Sequence, residues 1–152
     1  MKFDKPILVV LIGALATIPY ELFTALMVYL GIGKYDVYEL CSLIITLDRP
    51  NLVLGAVGTI IVASCLALIF YYSLEKVGWD YLKMKSIISS LISWLILEVF
   101  FMWLIEGRKL IPYRPINDYY VELMGTIIFG IVQGLLFGKY LIKNCVLAEN
   151  KG

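Results

Sequence analysis

The chain has 152 residues, 61% hydrophobic and 16% charged, with a net charge of +1 and no histidine. Soluble domains are about half apolar and about a quarter charged, so this composition, with a mean hydropathy of +0.88, excludes an ordinary soluble domain. The near-neutral balance without a basic run excludes a nucleic-acid partner. The lack of histidine removes Ser-His and Cys-His catalysis, the usual zinc sites and histidine-ligated haem.

Four apolar runs, at about 6–30, 52–74, 84–105 and 119–142, are long enough to span a bilayer, which takes about 20 residues. Each is expected to be a helix, because backbone groups in lipid must be satisfied within their own segment. They leave little chain for anything else. The expected fold is all-α: one transmembrane domain over 1–152, a bundle of four membrane-spanning helices.

The first run follows Lys2 and Lys5 and contains Ala14-Leu15-Ala16, which would pass as a signal-peptide cleavage site. Cleavage would leave Thr17–Leu30 too short to span, so an uncleaved helix is expected. Pro19, Tyr20 and Glu21 stand in the middle of this run. Pro19 takes the backbone donor from the Leu15 carbonyl and is expected to kink the helix just before Glu21.

Between the first and second runs, "KYDVYELCSLIITLDRP" places Val37, Leu40, Cys41 and Ile44 at helical spacing. Asp36 and Glu39 read as a helix start. This helix is too short to cross and is expected to lie along the interface. After the third run, two prolines in "EGRKLIPYRPINDYY" are expected to keep the loop non-helical, with Asn117 or Asp118 capping the fourth helix.

Lys and Arg number eight on the side of the N-terminus, the middle loop and the C-terminal tail, and five on the other. The positive-inside rule then puts both termini in the cytoplasm of a multi-pass cell-membrane protein. Most tyrosines and tryptophans gather at the expected interfaces, as anchoring belts do. Cys41, Cys65 and Cys145 fall at different depths and form no disulfide framework. No metal or cofactor site is expected.

The two halves are weakly alike. Arg49-Pro50 and Arg114-Pro115 each follow a span holding a glutamate and precede a Gly-Thr-Ile-Ile helix. A 2+2 repeat of this kind would relate the halves by an axis along the membrane normal. Rows of small residues mark packing faces, the sharpest being Gly130, Gly134 and Gly138. That row serves either packing within the chain or a homodimer face.

The residues that most need explaining are the carboxylates within spans. Glu21 lies about 14 Å from the end of its helix at α-helical rise, with Glu98 at similar depth and Glu122 one turn inside the fourth helix. Charge at such depth costs several kcal/mol, about 3 on insertion scales. These groups should face the bundle interior, and either pair or stay protonated with a raised pKa. Arg49, Arg108 and Arg114 are the candidate partners; a structural reading pairs Glu21 and Glu98 with Arg49 and Arg114, and Gln133 would extend a polar path. Nothing orients a nucleophile beside them, so an enzyme is not expected. One reading is a small transporter or channel-type protein that uses these glutamates and acts as a homo-oligomer. The alternative is a non-catalytic membrane scaffold, or an accessory subunit packed on a membrane protein partner.

Overall fold

The computed structural model describes residues 4–47, 49–108 and 113–142. It contains α1 (Lys5–Tyr29), α2 (Val37–Thr46), α3 (Leu52–Val77), α4 (Leu82–Phe101) and α5 (Ile116–Phe137). α4 and α5 each run on into a π-helical turn, Met102–Glu106 and Gly138–Ile142. No strand occurs among the described residues. Four helices are long and apolar enough to cross a membrane, and α2 is not.

Small residues decide which helices approach. A Cβ on Gly13 would lie 2.7 Å from the Ala67 Cβ and 2.8 Å from the Ala63 carbonyl oxygen, so α1 and α3 touch backbone to backbone. At Gly130 it would meet Ser90 Oγ and lie 2.8 Å from Ile87 Cα, and at Gly134 it would lie 3.1 Å from Ser86 Cβ. The glycine row of α5 is thus packed against the serine face of α4 within the chain. Gly138, in the turn beyond, reaches only ordinary contact with Leu82. Such close approach supplies extensive van der Waals contact between the helices.

In space the helices run α3, α1, α5, α4, and α3 and α4 barely meet. All four join at the end nearest the termini, where Val9, Ile12, Phe70, Leu74, Leu82 and Phe137 form the main apolar core. Phe70 and Phe137 stack there with ring centroids 5.5 Å apart. Towards the opposite end α3 and α4 diverge, and α2 lies across the gap. Leu40 and Leu43 of α2 pack on Phe101 and Ile105 at the end of α4.

α2 is fixed by its first turn. Asp36 Oδ1 accepts from the Glu39 amide at 2.7 Å, and the Asp36 amide donates back to Glu39 Oε2 at 3.4 Å, completing a capping box. Burial and the neighbouring Asp36 push the Glu39 carboxyl above its ordinary value. Replacing Asp36 by alanine should cost about 1 kcal/mol and lower the thermal transition of the detergent-solubilised protein; an unchanged transition would show that the box is idle. At the other end of α2, Ser42 Oγ accepts from the Asn51 amide at 2.9 Å, and Asn51 Oδ1 caps α3 through the Leu54 amide.

α1 continues as helix through Pro19. One local expectation needs correction. α5 is not capped by Asn117 or Asp118: it begins at Ile116 with Pro115 in the N-cap position. Asp118 is used instead to tie down a loop, since its Oδ1 accepts from the Lys34 amide at 2.7 Å.

Candidate functional site

Where the helices splay, one buried arginine gathers three glutamates. Arg114 precedes α5 and turns its side chain into the bundle, where it is 5% exposed. Its Nε donates to Glu106 Oε1 at 2.6 Å, its Nη1 to Glu122 Oε1 at 2.6 Å, and its Nη2 to Glu98 Oε1. The planar guanidinium suits this arrangement, since its donors form a rigid fork. Phe101 and Tyr119 flank it, with ring centroids 4.4 and 4.7 Å from the guanidinium carbon. Trp94 Nε1 donates to the second oxygen of Glu122 at 3.3 Å, and the Tyr119 hydroxyl to that of Glu106 at 3.2 Å.

Burial alone would lower the Arg114 pKa, but Glu122, Glu106 and Glu98 outweigh it and hold the guanidinium above its ordinary value. It therefore stays charged. Among the described residues, three carboxylates on one cation leave a formal surplus of two negative charges. The guanidinium lies among the three carboxylates and donates to each of them. Among the described residues no carboxylate, cysteine or histidine group is arranged to hold a metal.

Glu106 is the member that sequence reasoning missed. At 100° per residue, positions eight apart on an α-helix are about 80° out of register, so Glu98 and Glu106 should not share a face. The π-helical turn corrects this. Its wider i→i+5 bonding, closed by the Gly107 amide on the Met102 carbonyl at 2.7 Å, absorbs the mismatch and swings Glu106 round to Glu98.

Glu21 is not part of this cluster. It faces the start of α2, where Oε2 accepts from the Tyr38 amide at 3.4 Å, while Thr24 Oγ1 accepts from the Val37 amide at 3.3 Å. With Asp36 on the Glu39 amide, all three leading amides of α2 are accepted by side chains. A carboxylate here also meets the positive end of the α2 dipole. Arg49 lies exposed in the stretch between α2 and α3, where its carbonyl accepts from Thr46 Oγ1. The Glu-Arg pairing expected of both halves is thus seen in the second, while in the first Glu21 turns to α2.

Below the cluster is a cavity of about 150 Å³ between α3 and α4, roofed by α2 and backed by α1 and α5. Glu98, Glu122, Arg114 and Gln133 line it; Glu21 and Arg49 do not. Most of the wall is apolar, including Leu40, Val62, Leu66, Leu97 and Phe129. The chain matches no protein-family model, and neither a curated protein nor a solved structure shows significant similarity to it.

Proposed function

We propose that this chain is an integral protein of the cell membrane, with both termini cytoplasmic, and that it is a small non-enzymatic transporter that handles protons at the Arg114–glutamate cluster. One observation carries the reading: three buried carboxylates share one guanidinium at the head of an apolar cavity. A structural ion pair needs matched charges, whereas this cluster sets three carboxylates on one cation among the described residues and so offers protons a place to bind. Intramembrane ionisable groups facing a bundle interior commonly mark such pathways. The α2 end then faces outward and Glu21 serves structure, by seating α2. A scaffold would need a free docking face, and Gly130 and Gly134 of α5 are spent on contact with the serine face of α4. The partner this reading requires is the bilayer.

The test is proton flux into liposomes that enclose a pH-sensitive dye, driven by a potassium diffusion potential. Wild type should acidify the lumen, and Glu98→Gln and Glu122→Gln should each slow this at least roughly tenfold, in line with the scale of lost proton-transfer groups. Glu21→Gln should keep the flux in whatever fraction of the protein folds. Unchanged flux in both Glu98→Gln and Glu122→Gln would remove the cluster from the mechanism.

A further inference from the structure

Two polar atoms at the cavity have no hydrogen-bond partner among the described residues. Thr59 Oγ1 on α3 and Gln133 Nε2 on α5 are buried, line the space and make no hydrogen bond among the described residues. Gln133 uses its oxygen, which accepts from Ser86 Oγ at 3.4 Å, so it is the donor half of the amide that remains. Leaving a buried donor unmet costs about 1–3 kcal/mol. The charged cluster makes less demand, because Arg114, Trp94 and Tyr119 already occupy five of its six carboxylate oxygens.

We propose that this cavity binds a neutral, mainly apolar molecule bearing a carbonyl- or ether-type oxygen, which enters sideways between α3 and α4. The oxygen accepts from Gln133 Nε2 and Thr59 Oγ1, and the apolar body fills the walls formed by Val62, Leu66 and Phe129. The entry route follows from the fold: α3 and α4 separate beyond their shared core, and the half-exposed Leu97 and Ile44 stand among the lining residues where the space opens. Size sets the body, since a cavity of about 150 Å³ holds a benzene ring. A single ring or short branched chain fits, and a whole lipid does not. A water cluster is disfavoured by the walls, because each water needs two to four polar partners. As the cargo of a proton-coupled transporter, this assignment rests on the function proposed above; as a binding site it stands without it.

The probe is 4-azidoacetophenone, a neutral ring with one ketone, photolysed with the full chain in nanodiscs and mapped by peptide mass spectrometry. Labelling should fall on cavity positions such as Val62, Leu66 and Ser93, and acetophenone should protect them where equal ethylbenzene, which lacks the acceptor, does not. Thr59→Val with Gln133→Leu should cut the protected labelling roughly tenfold, as two hydrogen bonds would. If that variant does not fold, Ala63→Phe, which fills the space from α3, should abolish protection. Labelling spread over the outward-facing Ile69 and Ile88, or equal protection by ethylbenzene, would overturn the site. Cavity labelling without proton flux would remove the transport reading and keep the site; flux without cavity labelling would do the reverse.

Discussion

Arg114→Met should destabilise the protein by about 3–5 kcal/mol, the usual effect of removing one partner from a buried ion pair. It is expected to show as a steep fall in the thermal transition measured in detergent. The variant leaves Glu98, Glu106 and Glu122 together in a buried site with no cation paired to them among the described residues. Arg114→Lys should recover only part of the loss, because an ammonium cannot reach three carboxylates with forked, coplanar donors. The decisive control is Arg114→Met combined with glutamine at Glu98, Glu106 and Glu122. Neutralising the carboxylates removes the unpaired charge, so this variant should regain most of the stability that the single change loses, although it should conduct no protons. A wild-type transition in Arg114→Met alone would mean that the carboxylates are already neutral without the arginine.

What the sequence made legible follows from what hydropathy can mark. Glu98 and Glu122 interrupt apolar runs, and Arg114 stands at the head of one, so each announced itself and the structure brings all three together. Glu106 stands where an apolar run ends, and an α-helical period points it away from Glu98. Only the π-helical turn reverses that, and no residue between Met102 and Glu106 signals it. Glu21 was equally conspicuous, but its partner is a backbone amide of α2 rather than a side chain. The sequence located α2 and its capping box, yet gave no sign that its first turn would fold back onto α1. Rows of small residues identified the contact faces. The cavity arises from the contact that is missing, between α3 and α4, and an absent contact leaves no pattern in either helix.

α2 roofs the cavity, and one glycine lets it do so. A Cβ added to Gly55 would lie 1.7 Å from the Tyr38 carbonyl oxygen and 2.4 Å from its carbon. Both are backbone atoms, so no side-chain rotation can relieve the overlap. Gly55→Ala must therefore push the start of α2 away from α3 by roughly 2 Å to regain ordinary contact. The Tyr38 amide that would move already reaches Glu21 at 3.4 Å, so that anchor should weaken with it. Overpacking of this kind costs about 1–3 kcal/mol, but the more telling readout is Cys41, a half-buried thiol on α2 facing the cavity. With Cys65 and Cys145 replaced by alanine, N-ethylmaleimide should modify Cys41 roughly tenfold faster in Gly55→Ala, as expected when about 1.4 kcal/mol separates the seated and lifted positions. Gly58→Ala is the matched control: its Cβ would meet Cys41 Sγ at 2.9 Å and Ile45 Cδ1 at 3.8 Å, both ends of side chains that can turn aside. Equal rates in Gly55→Ala and wild type would show that α2 does not need this contact to stay in place. A faster rate accompanied by loss of acetophenone protection would tie the seating of α2 directly to the integrity of the cavity beneath it.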